Sequence, residues 1–304
     1  MLLIIWSGQK SLNPQPLQTN YAYHIGHSTV FLCLDSVHVL IDPTFNDIVY
    51  FRKRDNPPAL GIKDLPAVDL VLLSHGHWDH MDMGSLEQII EKFPSARIYL
   101  PVRLGKYLKQ EGIRNYTEVS NDQQFQYGPL LIRTYRMNHY GDRYIIDNTP
   151  LTLGYTIKGT RTVFFAGDSG YDSIFKRIGA EAEIDLAFVE SHGWHHTATN
   201  TPDNPDRPRG CGYSGCVSLF RLLYKSDNLP QAIPRHLQAD ETLEVLQDLK
   251  AKKMVPIHYD TFTHRYSDEL DFSDPLGMLK QMAAEKDMAD RIIFDARGKK
   301  IIIE

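Results

Sequence analysis

The 304-residue chain carries 33 basic against 38 acidic residues, a formal net charge of -5, which excludes the global basic field behind non-specific binding to nucleic acid or anionic membrane. Its three cysteines, Cys33, Cys211 and Cys216, are too few and too oddly numbered for a disulfide framework and suit a reducing compartment. No stretch approaches the roughly 20 apolar residues that span a bilayer, and the opening MLLIIW lacks the basic flank and cleavage site of a signal peptide; the chain reads as soluble and cytoplasmic.

In chain order, YAYHIG, TVFLCLD and VHVLIDP read as short β segments separated by Gly, Ser and Asp, and VDLVLLS as a fourth. Between the third and fourth runs a long polar, proline-bearing connection, TFNDIVYFRKRDNPPALGIKDLP, of a length that tends to be functional in a compact domain. GSLEQIIEKF has helical spacing, with Leu86, Ile89, Ile90 and Phe93 on one side. ARIYLP follows as a strand and VRLGKYLKQEG as a helix closed by Gly112.

The second half repeats the mixture. Strands are expected at LLIRTYRM, LTLGYTIKG, RTVFFAGD and IDLAFVES, and a helix near YDSIFKRIG. A further helix, DETLEVLQDLKAKK, takes Asp240 as N-cap. MVPIHYD reads as a strand, PLGMLKQMAAEKD as a helix, and RIIFDA and KKIIIE as closing strands. There is no short-period repeat. Two β-rich halves with interspersed helices predict an α/β (α+β) fold of stacked sheets covered by helices on their outer faces. A single domain over 1–304 is expected, with an insertion or cap at about 192–235, where Pro, Gly, Asn and Asp oppose regular structure.

The chemistry concentrates in SHGHWDHMD, directly behind VDLVLLS: His75-x-His77-x-Asp79-His80. On backbone leaving a strand, residues two apart project to one side, so His75 and His77 can share one metal ion. Asp79 and His80 are adjacent and diverge, which suits them to a second ion. Cations would compensate charged and imidazole groups that are otherwise costly to bury. A histidine-rich surface loop is the bland alternative, and the compound spacing behind a strand argues against it.

This loop resembles the His-x-His-x-Asp-His motif of the metallo-β-lactamase superfamily, whose fold is an αββα sandwich. Further matches are MNHY with His139, FFAGDSGY with Asp168 and VPIHYDTF with His258. The resemblance implies one site of His75, His77 and His139, a second of Asp79, His80 and His258, and Asp168 bridging both. A finer resemblance is to the branch containing N-acyl phosphatidylethanolamine-hydrolysing phospholipase D and its bacterial relatives. It is carried by YHIGHSTVFLCLDSVHVLIDPTF, AGDSGYDSIFKRIG and RHLQADETLEVLQDLKAKKMVPIHYDTF, from about Tyr23 to Phe262. The segment from His192 to Ile233 departs from that branch, being much longer here.

The implied function is a dinuclear metal-dependent hydrolase, cleaving a small-molecule or lipid phosphodiester by attack of a metal-bridging hydroxide. Lactone or other carboxyl-ester hydrolysis is the alternative; a nuclease and a non-catalytic metal-binding protein are less favoured. Two divalent ions are implied, zinc before manganese or iron, because the ligands are His and Asp without thiolates. Asp79, Asp168 and His236 are the candidate catalytic residues, His236 as donor to the oxyanion or leaving group. Its alternative is a plain histidine at a helix start. His27 and Asp42 look like supports that orient ligands. Arg52 and Arg54, in a basic and aromatic run with Lys53, Tyr50 and Phe51, are candidates to receive a phosphate, against a solvated charged loop. Cys211 and Cys216, near His192, His195 and His196, read as thiols of a cap more than as a second metal site. No nucleic-acid partner is expected, and a lipid substrate would require transient membrane contact.

Overall fold

The computed structural model describes residues 20–49, 51–143, 151–191, 236–262 and 274–304. The expected cap at 192–235, with both of its cysteines, lies outside the described residues. The first half supplies β1 (Tyr21–Gly26), β2 (Thr29–Leu34), β3 (Val37–Ile41), a small hairpin of β4 (Ile48–Val49) and β5 (Arg52–Lys53), and β6 (Leu70–Leu72). There follow α1 (Met83–Lys92), β7 (Arg97–Pro101), α2 (Gly105–Gln110), β8 (Tyr116–Val119), β9 (Gln124–Tyr127) and β10 (Leu130–Arg136). The second half adds β11 (Leu153–Lys158), β12 (Thr162–Phe165), α3 (Ile174–Glu181), β13 (Leu186–Glu190), α4 (Ala239–Leu249), β14 (Lys253–Ile257), α5 (Pro275–Glu285) and β15 (Ile301–Ile302).

Two sheets result, in the orders β15-β1-β2-β3-β6-β7-β8 and β14-β13-β12-β11-β10-β9. Side-chain alternation decides what each strand buries. Val30, Leu32 and Leu34 of β2 point into the core between the sheets, where they meet Leu153, Tyr155 and Ile157 of β11 and Phe165 and Phe188 of the neighbouring strands. The intervening Phe31 packs outward against Leu86 and Ile89 of α1. On the second sheet Phe164, Ala187 and Val189 turn outward onto α3, α4 and α5 through Phe175, Leu246 and Leu279. Helix, sheet, sheet and helix thus form the four-layer αββα sandwich that the sequence resemblance implies, each sheet buried on both faces.

Strand direction places the site. In the first sheet β1, β3 and β6 run the same way, because β2 is antiparallel to both β1 and β3 while β3 and β6 are parallel. In the second, β10, β12, β13 and β14 share a direction by the same reasoning. Two tertiary bonds lock the sheets where β6 ends: Tyr155 Oη donates to the Leu73 carbonyl at 2.7 Å, and Leu153 N donates to Ser74 O at 2.9 Å.

Three expectations need correcting. RIIFDA does not form a strand: after one bridge from Ile292 to Met254 on the second sheet it reaches the first sheet by a bridge from Arg297 to His24, so it straps the open edges together without extending either. The helix at 239–249 begins before Asp240 and is preceded by Gln238, whose N–H donates to Glu241 at 3.1 Å; Asp240 sits in its first turn. Strands β8 and β9 were not expected; both are sheet edges with half-polar patterns, YTEV and QFQY, which periodicity reads poorly.

Phe165, wholly buried between the sheets, tests this architecture. Phe165→Ala should lower unfolding free energy by about 3–5 kcal/mol in urea titration while leaving native far-UV circular dichroism unchanged.

Candidate metal centre

The residues singled out in the sequence meet at the carboxyl ends of the co-directional strands, where open α/β sheets place their ligands. Asp42 follows β3 and His75 to His80 follow β6; His139, Asp168, Glu190 and His258 come from the ends of β10, β12, β13 and β14. Gly76, between the first two histidines, allows the close approach. Its N–H donates to Gly141 O at 2.9 Å, and a Cβ there would lie 2.8 Å from that oxygen, so any side chain would push the His139 loop off the His75–His77 loop. Gly167, at φ +63° with Ser74 Cβ 2.8 Å from where its own Cβ would be, does the same for the turn that delivers Asp168.

All seven expected ligand residues are brought together. His77 Nδ1 lies 2.8 Å from His75 Nε2 and 3.3 Å from His139 Nε2, and Asp168 Oδ2 is 3.8 Å from His75 Nε2 and 3.7 Å from His139 Nε2. On the other side Asp168 Oδ1 is 3.2 Å from His80 Nε2, and Asp168 Oδ2 is 3.3 Å from His258 Nε2. Asp79 Oδ2 lies 3.7 Å from His258 Nε2 and 4.0 Å from His80 Nε2. Tetrahedral bonds of about 2.05 Å to a cation separate its ligands by roughly 3.4 Å, a spacing these distances bracket. One N–H on His77 can serve only one of its two ring neighbours, whereas a cation serves all three. Among the described residues His80 Nε2 and Asp168 Oδ1 are buried and make no hydrogen bond, which ordinarily carries a desolvation cost. The donor set therefore fits one cation on each side of Asp168.

Charge supports the same reading. Burial drives the His75 ring well below its ordinary range and His77 down to about 4, so both present neutral lone pairs. For His80 and His258 burial also acts downward, but the Asp168 and Asp79 carboxylates prevail, holding His80 well above the usual range and His258 at about 10. Asp79 and Asp168, which burial alone would raise, are held well below the usual carboxylate range, Asp79 chiefly by His80 and Asp168 by His258 and His80. The buried Asp168 and the half-buried Asp79 thus demand positive charge, and divalent cations meet that demand in place of protons.

A supporting layer fixes the rings. Ser74 Oγ donates to Asp42 Oδ2 at 2.5 Å and therefore accepts from His75 Nδ1 at 2.9 Å, turning the His75 Nε2 lone pair into the site. His80 Nδ1 donates to the same carboxylate at 2.8 Å, with the same effect, and Ser74 N adds a bond of 2.7 Å to Asp42 Oδ1. His27 Nε2 donates to Asp79 Oδ2 at 3.0 Å, while the His27 carbonyl accepts from His24 Nε2 and from His258 N, each at 2.9 Å. Thr44 Oγ1 steadies Asp79 through its carbonyl at 2.8 Å. Asp42, His27 and His258 all hold left-handed backbone, with φ of 44°, 51° and 65°, a strained conformation that collects at functional sites. Asp42 and His27, the residues expected to orient ligands, contact His80 and Asp79 respectively.

His236 joins the cluster, with Nδ1 2.7 Å from Glu190 Oε2 and 3.8 Å from Asp168 Oδ2. Glu190 escaped the sequence reading although an acidic residue ends the apolar run LAFVE. Burial raises its carboxyl, with His236 acting the other way. Arg54 is buried, donating to Asn46 O at 3.0 Å and Thr44 O at 2.7 Å, so it braces the hairpin loop. Arg52 lies on β5, paired with Val49. That hairpin is tied to the His258 loop by Asp55 N donating to Thr261 O at 2.9 Å. His192, His195, His196, Cys211 and Cys216 lie outside the described residues.

A family model described as the beta-lactamase superfamily domain matches residues 38–259. N-acyl-phosphatidylethanolamine-hydrolyzing phospholipase D 1 of Caenorhabditis elegans is 27% identical over 289 residues, covering 89% of this chain and 72% of its own length. A UPF0173 metal-dependent hydrolase of Bacillus pumilus is 26% identical over 263 residues, covering 84% of this chain and 91% of its own. Other relatives extend further: the chain spans 61% of a Mycobacterium bovis protein and 53% of a Saccharomyces cerevisiae one. An isothiocyanate hydrolase from Delia radicum gut bacteria superposes with a TM-score of 0.68 over 93% of this chain and 99% of its own, at 17% identity, a likeness of fold.

Asp42 offers the test of the supporting layer. Asp42→Asn keeps its volume but puts an amide where two donors now point, and metal affinity measured by chelator competition should fall about 10–100-fold.

Proposed function

The chain belongs to the metallo-β-lactamase superfamily, in the branch with phospholipase D-like relatives, and from that premise we propose that it is a dinuclear metal-dependent hydrolase of phosphodiesters, acting on a lipid or small-molecule substrate. The observation that carries this reading is the pair of donor sets sharing Asp168: His75, His77 and His139 on one side, Asp79, His80 and His258 on the other. Zinc suits these imidazoles and carboxylates, and manganese or iron accepts the same ligands. When bound, two such cations supply a water ionised near neutral pH and neutralise charge growing on the substrate oxygen.

The chain's own residues do the rest. Asp168 and Asp79 hold the ligand rings in register, Asp168 from between the two sets and Asp79 under the grip of His27. His236, beside Asp168, is the group placed to exchange a proton with the leaving oxygen. Arg52 is the candidate for the substrate phosphate, on a hairpin that Arg54 steadies. Ile48 and Phe51 on that hairpin are exposed, as transient contact with a lipid surface requires; among the described residues no helix is long and apolar enough to cross a membrane. The few cysteines fit a cytoplasmic setting.

Zinc-loaded protein should hydrolyse bis(p-nitrophenyl) phosphate and an N-acyl phosphatidylethanolamine in mixed micelles, lose both activities on chelation and regain them on zinc addition. Asp168→Asn should lower kcat by about 10²–10³. Lactone hydrolysis without phosphodiester hydrolysis would overturn the assignment.

A further inference from the structure

The loop that carries four of the ligand residues is held unevenly. His75 and His80 are wholly buried, and each has an outer nitrogen fixed, by Ser74 and by Asp42. His77, Trp78 and Asp79 form the crest of the loop and are half-buried, so packing alone does not fix them. Asp79 is gripped by His27. Among the described residues the His77 ring hydrogen-bonds only to the rings of His75 and His139, its fellow donors, so His77 depends on its backbone for orientation.

That backbone is a turn with an external clasp. The His77 carbonyl accepts from His80 N at 3.1 Å and from Met81 N at 2.8 Å. Arg143, buried and four residues beyond His139, donates from Nη1 to Met81 O at 2.6 Å and lies 3.5 Å from Gly76 O, so it meets carbonyls at both ends of the turn. Its guanidinium carbon stands 3.9 Å from the centre of the Trp78 ring, the placement of a cation on an aromatic face, and 5.6 Å from that of Tyr107. Trp78 joins His77, which serves one donor set, to Asp79, which serves the other, so holding its ring holds the peptide from which the two diverge.

We propose that Arg143 is the positioning residue for His77: by clasping the turn at Met81 O, Gly76 O and the Trp78 ring it sets the bite of the His75, His77 and His139 donor set. The inference rests on the two-cation reading above and is independent of the substrate. The effect is selective, because His80 and Asp79 in the other set keep supports of their own, from Asp42 and His27. A field effect would have the opposite sign, since removing a positive charge beside the centre tightens cation binding at both sets. Lysine cannot substitute, as its ammonium is a point charge without the flat face that lies on Trp78.

Zinc affinities measured by chelator competition in folded protein give the test. The wild type should bind two ions. Arg143→Met and Arg143→Lys should each weaken one ion about 10–100-fold and leave the other close to its wild-type affinity. Protein loaded with ¹¹³Cd identifies which ion it is: the resonance that His77→Ala abolishes should move further in Arg143→Met than the resonance that His258→Ala abolishes. Equal weakening of both ions, tighter binding, a loss of thermal stability with affinities unchanged, or a larger change at the His258 resonance would each overturn the proposal. If Arg143→Met does not fold, Trp78→Leu, which removes the ring against the guanidinium, should weaken the same ion, and unchanged affinity there overturns it. Fewer than two ions in the wild type would sink the two-cation reading and this inference with it; two ions in the wild type without a selective loss in the variants would sink this inference alone.

Discussion

Five histidine rings, those of His75, His80, His139, His236 and His258, each bring a nitrogen within 3.2–3.8 Å of the Asp168 carboxylate. A carboxylate this deeply buried is tolerable only where positive charge or hydrogen-bond donors answer it. Most of what is unusual in this end of the molecule follows from that constraint. Two of these rings, His75 and His80, have their outer nitrogens tied down by Ser74 and Asp42, so their inner nitrogens are held toward the carboxylate and toward the other rings. The fold keeps groups in opposition, and the cations remove the opposition.

Holding such a cluster requires rigid ground on both sides of it. The two sheets supply that ground because their co-directional strands end at one edge, and because Tyr155 and Leu153 bond across to the backbone at Leu73 and Ser74, directly ahead of His75. The left-handed residues Asp42, His27 and His258 would relax if their neighbours let them. His27 cannot, since its carbonyl takes two donors and its ring another acceptor. Strain in these turns is balanced by packing in the sandwich, a division of labour between core and site that recurs in enzymes.

How far the sequence discloses all this depends on how local each signal is. The run from His75 to His80 is legible because four ligand residues sit within six positions behind an apolar strand, and the register of one segment settles which of them share a side. His139, Asp168 and His258 are single residues that gain meaning only beside that motif. Asp42 and Glu190 follow the same pattern, a lone acid ending an apolar run, yet nothing in the primary structure pairs Asp42 with His80 or Glu190 with His236; those pairings arise when separate strands are laid side by side. Arg54 shows the converse. Its charge suggests a ligand for phosphate, and only tertiary structure reveals that the carbonyls of Asn46 and Thr44 take up its Nε and Nη2 donors. Strands β8 and β9 were hidden because edge strands can be half polar, and residues 291–297 misled because an apolar strap between two sheet edges has the composition of a strand.

The polar atoms of the site divide into two kinds. Among the described residues His80 Nε2 and Asp168 Oδ1, 3.2 Å apart, make no hydrogen bond, an arrangement suited to something added between them. At Glu190 every oxygen is matched by a donor from the chain itself. A group that lacks partners in the protein is suited to bind an ion, and a group already matched is suited to hold a side chain at a fixed angle. The two kinds meet at His236, whose Nδ1 stands 2.7 Å from the completed carboxylate and 3.8 Å from the incomplete one. One imidazole nitrogen therefore faces both carboxylates, so the ring that Glu190 orients lies directly beside the acid whose needs the chain leaves open.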